Sequence, residues 1–446
     1  MREFKVLFIP IGVPTFHKPS IDGQFDLSVK LLKELYPAII CPDEPLLTIP
    51  KVIDFIDGKY SDLIIIQNNA FANSEYTSEI LRRLDCDILL WTLQEPIIDG
   101  GRLRLNSLTG AFSAGNLMHN LGRENYEYIW GSPSDKRVIN KITASIKASQ
   151  LKMELRSTTI ASIGHTPEGF GFGRALDAEF NRYFGIKHIA IEARELINNA
   201  KKVDNNSCNE ILSEVNKITN NLNTIPLENT MSFAKLYKAY SDFITNNNIS
   251  AISSRCWPDY FTEYGTPVCS VLALLNDKLI PASCEADSFG ALSMLIGVKL
   301  TEKPVFFGDP VSLDTTENTI TFWHCGTAAC SLAHSSTGAE IGVHPNRKIG
   351  PTMEFGCKPS KEGTIFRVGK KSDGTIRFYI TTGEILDKPK QFNGTSLVIK
   401  TKGNSLDIIT NSVKDGWEPH FIVAYKDIKE ELIILGKYLN IDIYEY

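Results

Sequence analysis

Strand-length apolar runs that alternate with amphipathic stretches are the feature that most constrains this chain. FKVLFIPIG near the start, DLIIIQNN around Leu63-Ile64-Ile65-Ile66 and CDILLWT after Cys86 are apolar at consecutive positions, not at every second one. A strand apolar on both faces has to be covered on both, which is the condition of a parallel sheet flanked by helices. DLSVKLLKELY and SEYTSEILRRL, with apolar residues at helical spacing, supply those helices. The first third therefore reads as a doubly wound α/β domain, residues 1–155, closing with a helix over Ser132 to Met153.

The same grammar then restarts. STTIASIG (Ser157–Gly164) is a strand, TPEGFGFG a glycine-rich loop, and a helix follows from near Arg174. KHIAIEA and NNISAISSRCW supply further strands. Between them, the Asn-rich stretch from Val203 to Leu227 keeps helical spacing at Ile211, Val215 and Ile218. This makes a second doubly wound α/β domain, residues 156–300. After about Lys303 the texture changes to short β runs (TITFWHC, TIFRVGK, TIRFYITTGEI, SLVIKT) separated by turn residues. Ser372-Asp373-Gly374 is a hairpin signal. Residues 301–446 thus read as a β-rich, barrel-like domain ending in the amphipathic helix KDIKEELIILGKYLNI.

At 446 residues the chain is too long for one core. A net charge of −5, with basic residues scattered, gives no reason to expect nucleic acid. The apolar runs are too short to span a bilayer. Nine cysteines, an odd number with no CxxC pair, point to buried thiols in a reducing compartment. With a strand beginning almost at the first residue, no signal peptide is expected. The expected location is the cytoplasm, with no membrane partner.

Two acids stand out, Glu285 and Asp309, about two dozen positions apart in IPASCEADSFGALSMLIGVKLTEKPVFFGDP. Each is read as following a short apolar strand, and strand ends converge on the mouth of an α/β sheet. Two converging carboxylates can hold a divalent ion and also move protons. Plainer roles remain open: Glu285, like Asp287 or Ser288, suits a helix N-terminus, and Asp309 before Pro310 suits a turn. His324, His344 and His420 are each readable as turn histidines. Arg255 and Trp257 in RCWP suit a hydroxyl-rich or anionic ligand, or alternatively a salt bridge over a buried indole. TPEGFGFGRA does not match a dinucleotide fingerprint, and no phosphate-binding GxxxxGK[ST], GxSxG or HExxH occurs.

Several segments in order, LQEPIIDGGRLRLNSLTGAFSAGNLMHNLG, IGHTPEGFGFGR, SSRCWPDYFTEYGTPVCSVLALLNDKLIPASCEAD, PVFFGDP, WHCGTAACSLA, GVHPNRKIGPTMEFGCKP and GWEPHFIVAYKD, resemble the L-fucose/L-arabinose isomerase superfamily, nearest its fucose-isomerase-like branch. The resemblance spans most of the chain. It implies a divalent metal, usually Mn²⁺, held by Glu285, Asp309 and His420, with His324 as a further matching ligand position and His344 structural. It also implies a homo-oligomer, trimer or hexamer, in which a neighbour's first domain, near Phe16-His17, completes the pocket. The chain departs from the pattern in being shorter than fucose isomerases proper and in carrying Phe421 where many relatives have a second His.

The implied activity is aldose–ketose isomerisation of a free sugar through an enediol, with Glu285 and Asp309 as ligands and proton shuttles and Arg255 and Trp257 lining the sugar. L-fucose or arabinose is the first expectation. An anionic sugar such as sulfoquinovose, paired with Arg255 or Arg347-Lys348, is the alternative. A non-catalytic sugar-binding or regulatory protein is a third reading.

Overall fold

A computed structural model describes residues 2–446, which form two compact units: residues 2–154 with 430–440, and 155–429 with 441–446. In the first, strands Val6–Ile11, Leu63–Asn68, Asp87–Thr92 and Glu127–Trp130 lie parallel in that order. Ile40 and Leu46 add backbone bridges on the outer edge of the first strand. The first three strands are buried at every position, so helices must cover both faces. Phe8 stacks on Phe25 of helix Lys18–Leu35. Leu7, Ile9, Ile64 and Ile66 pack instead with Val52, Ile80, Ala114 and Met118 of three other helices. Helix Lys429–Tyr438, last in sequence, returns here, where Lys437 and Lys141 reach the buried Glu127 at 2.8 and 3.0 Å.

The second unit contains a parallel sheet and a barrel. The sheet runs Lys187–Ile191, Thr159–Ile163, Ala251–Ser254, Ala282–Ser283. Its order reverses beside Thr159–Ile163, the kind of switch point where strand ends leave a crevice. The barrel closes through six strands: Thr395–Thr401, Thr319–His324, Phe306–Asp314, Phe421–Ala424, Ser360–Lys370 and Ile376–Ile385, the last pairing back to the first. Helix Ser288–Thr301 packs on strands of both, and all of its residues but Lys299 are buried.

One local expectation is corrected. PVFFGDP reads as a strand ending before Asp309, yet the strand continues to Asp314. Pro310 cannot donate to the ladder. The register with the neighbouring strand shifts at this point, where Thr321 faces Ser312 and Phe322 faces Pro310. Asp309 therefore sits on a barrel strand, fixed by neighbours on both sides. All nine cysteines are free, with Cys41 and Cys86 half-buried and the rest buried. Among the described residues no helix is long and apolar enough to cross a membrane.

Ile65 is fully buried between Phe8 and Leu89. Ile65→Ala is expected to lower stability by about 2–5 kcal/mol in urea denaturation, and an unchanged midpoint would contradict this packing.

Candidate active site

The chain leaves strand Ala282–Ser283 through Cys284 and turns sharply, with Glu285 and Ala286 both left-handed at φ 52° and 53°. Two such residues in a row cost roughly 1–3 kcal/mol each and persist only where the surroundings hold them. Here Ala286 N–H donates to the Ser254 carbonyl at 2.9 Å and Asp287 N–H to that of Cys284 at 3.1 Å. The turn aims the Glu285 carboxylate at the barrel. Asp287 then caps helix Ser288–Thr301, its Oδ1 accepting the Gly290 N–H at 2.8 Å.

The barrel ladder delivers the other groups. Phe421 pairs with Gly308 and Trp323 with Asp309, which brings His420 and His324 around Asp309 from strands on either side. Glu285 Oε2 lies 3.4 Å from His324 Nε2 and 3.6 Å from His420 Nε2, and Asp309 Oδ1 lies 3.5 Å from His420 Nε2. Glu285 Oε1 accepts the Cys256 S–H at 3.6 Å, while Oε2 is buried with no hydrogen-bond partner. The imidazoles form the buried floor. The carboxylates keep 11% and 28% of their side chains exposed, so the site opens on their side.

The orientation of His420 is set from behind. Its Nδ1 is 2.9 Å from Asp287 Oδ2, and Arg367 Nη1 and Nη2 reach the same carboxylate at 2.5 and 3.1 Å. Burial works against the Asp287 charge, but Arg367 and then His420 outweigh it and hold the carboxyl below the usual range. Burial likewise opposes protonation of His420, yet Asp287 and Asp309 push its pKa up. The Asp309 pKa is raised, chiefly by burial, against the pull of His420 and His324. With Nδ1 toward Asp287, Nε2 of His420 faces Glu285 and Asp309, the carboxylate–imidazole arrangement that orients a metal-ligating histidine. Glu285, His324 and His420 offer donor atoms all within 4.8 Å of one another. Two carboxylates and two imidazoles could hold a divalent ion of intermediate hardness such as Mn²⁺, and Glu285 Oε2 has no hydrogen-bond partner of its own.

Aromatic rings wall the site. Phe307, two residues before Asp309 on the same strand face, is 4.8 Å from the His420 ring. Phe172 and Phe170 approach His420 at 5.5 and 6.4 Å, and Trp257 meets Phe170 at 5.9 Å. The glycine-rich loop has a steric purpose: a Cβ on Gly173 would stand 2.8 Å from Asp287 Cα. Arg255 lies at the end of its strand but is engaged, pairing with Asp259 and donating to the His165 carbonyl at 3.2 Å. His344 accepts the N–H groups of Asn346 and Arg347, and Arg347 covers the Phe261 ring. A cavity of about 640 Å³ adjoins the turn, lined by Gly164, Thr166, Arg174, Ala286 and Ser288 among others.

Comparison with curated proteins agrees along the whole chain. The sulfoquinovose isomerase of Clostridium sp. (strain MSTE9) is 54% identical over 442 residues, covering 99% of both chains. Those of Alkalicoccus urumqiensis and Priestia megaterium are 34% and 33% identical over 446 residues, again with 99% of both chains covered. The chain belongs to the sulfoquinovose isomerase family. No protein-family model matches it. Membership makes it an aldose–ketose isomerase and sets aside the non-catalytic sugar-binding reading.

Sequence reasoning did not single out Asp287 or Arg367 as site residues. Arg367 did carry a signal: a lone cation within the apolar run TIFRVG must find a buried anion. Arg367→Met leaves the Asp287 charge uncompensated and is expected to destabilise the protein by about 3–5 kcal/mol. Equilibrium denaturation reads this directly, and a shift no larger than that of a surface arginine would exclude the buried pair.

Proposed function

We propose that the chain converts sulfoquinovose to its ketose, sulfofructose, with a divalent metal, Mn²⁺ or a similar ion, held by Glu285, Asp309 and His420, with His324 as a further ligand. The single observation that carries the metal reading is the buried Glu285 Oε2, without a hydrogen-bond partner and facing two imidazole nitrogens and Asp309. Support for the sugar comes from the names of full-length relatives, which favour the sulfonated substrate over L-fucose or arabinose.

Isomerisation takes a proton from the carbon beside a carbonyl and returns one to the neighbouring carbon. When bound, a metal held there would polarise the carbonyl and offset charge building on the sugar oxygens. Glu285 and Asp309 act as the pair that removes and returns the proton. Asp287 keeps His420 in one tautomer throughout. Trp257, Phe170 and Phe172 exclude water from one side of the sugar, and Arg255, at the end of its strand, meets the anionic group by exchanging its pairing with Asp259 for it.

A homo-oligomer belongs to this reading. Ile98, Leu103, Leu108 and Phe112 are exposed along one short stretch of the first unit. The same stretch holds the Phe16-His17 loop: Arg102 donates to the Thr15 carbonyl, and His17 N–H donates to that of Arg104 at 3.0 Å. An apolar surface carrying these residues suits a second copy of the chain.

EDTA treatment is expected to abolish sulfoquinovose isomerisation and Mn²⁺ to restore it. Glu285→Gln and Asp309→Asn should each lower kcat by about 100-fold or more. Full activity in either variant sinks the role assignment, and turnover of L-fucose but not sulfoquinovose sinks the substrate. Asp287→Asn should weaken Mn²⁺ binding about 10–100-fold by calorimetry; unchanged affinity would remove Asp287 from the metal's support.

A further inference from the structure

Directly behind the oxygen-rich site lies a cluster of sulfur. Four buried free cysteines come from four separate elements: Cys256 after strand Ala251–Ser254, Cys269 at the start of helix Cys269–Asp277, Cys284 after strand Ala282–Ser283, and Cys325 after strand Thr319–His324. Cys325 is the hub. Its Sγ is 3.9 Å from Cys269 Sγ and 3.4 Å from His324 Nδ1. The donor atoms of Cys284, His324 and Cys325 all lie within 4.8 Å of one another, as do those of Cys256, Cys284 and Glu285.

Tetrahedral zinc with Zn–S bonds of about 2.3 Å sets its sulfurs about 3.8 Å apart. The Cys269–Cys325 separation of 3.9 Å matches that edge, and the Cys284, His324 and Cys325 donors lie within 4.8 Å of one another. Thiolates select soft ions, whereas carboxylates suit harder ones such as Mn²⁺. We infer that Cys284, Cys325 and His324 Nδ1, with Cys269 alongside, form a second metal site for a thiophilic divalent cation, Zn²⁺ or Cd²⁺.

His324 stands between the two sites, with Nε2 toward Glu285 and Nδ1 toward Cys325. A neutral imidazole has one lone pair to give. Either Nε2 serves the front site while Nδ1–H donates to Thr327, 3.1 Å away, or to Cys325, or Nδ1 serves the sulfur site while Nε2–H donates to Glu285. Loading the sulfur site releases the Cys284 and Cys325 thiol protons to solvent and withdraws one nitrogen from the front site. Thiophilic cations are therefore inhibitors of this enzyme by capture of His324. That consequence rests on the proposed front-site ligands; the sulfur site rests on its own geometry.

The test is titration of metal-stripped protein with CdCl₂, followed by the ultraviolet sulfur-to-cadmium charge-transfer band, which needs neither sugar nor turnover. The expected result is a band that saturates at one ion per chain. It is lost in Cys325→Ser and in Cys284→Ser and kept in Cys330→Ser, a buried cysteine that contacts Met353 instead. Circular dichroism of each variant confirms the fold, and Cys325→Ala or Cys284→Ala replaces a serine variant that does not fold. No band in the wild type, or an equal band in the cluster variants, overturns the inference.

Discussion

The site hangs on one buried carboxylate. Asp287 caps the helix that packs on both the parallel sheet and the barrel, pairs with the fully buried Arg367 of a barrel strand, and holds the Nδ1 of His420. Each bond alone is ordinary. Together they tie the sheet end, the helix and the barrel to one point, so that Glu285, two residues earlier, and Asp309 and His420 on the barrel cannot drift independently. A buried ion pair is weak evidence for net stability, because desolvation offsets most of its attraction. Its better-attested effect is positional, and position is what a multi-ligand metal site requires.

Around that anchor the protein accepts strain and close contact. Glu285 and Ala286 adopt consecutive left-handed conformations, and Gly173 presses on Asp287 where no larger residue fits. Glu285 Oε2 is left buried and unpaired. Strain and an unsatisfied carboxylate at one turn are what a folded chain avoids unless a ligand uses them. The glycine-rich loop, unlike a phosphate-binding loop, acts here by letting backbone approach backbone.

Much of this was legible in the sequence, for local reasons. Continuous apolar strands such as Leu63–Asn68 declared the parallel sheet, and turn-rich β runs after Lys303 declared the barrel. Glu285 stood out because an acid between Cys284 and Ala286 has no apolar reason to be there. What stayed hidden depends on long-range pairing. Nothing near Asp309 reveals that its strand continues past Pro310 to Asp314, because a bulge absorbs the missing donor. Nor does local pattern say that Arg367 meets Asp287 some eighty positions earlier, or that four cysteines scattered from Cys256 to Cys325 share one pocket. Spacing reports faces and periods; partners across a barrel are set only by closure.

Family membership fixes the reaction class, and the proposed place for it is a pair of carboxylates, an imidazole oriented by Asp287 and an aromatic wall. The claim on which the account turns is that these groups share one metal ion. Crystals soaked in MnCl₂ and measured at the manganese absorption edge test it most directly. A single anomalous peak per chain is expected, bounded by Glu285, Asp309 and His420, with His324 beside it. A peak elsewhere, or no peak in crystals of protein that turns over sulfoquinovose after metal removal, would contradict it.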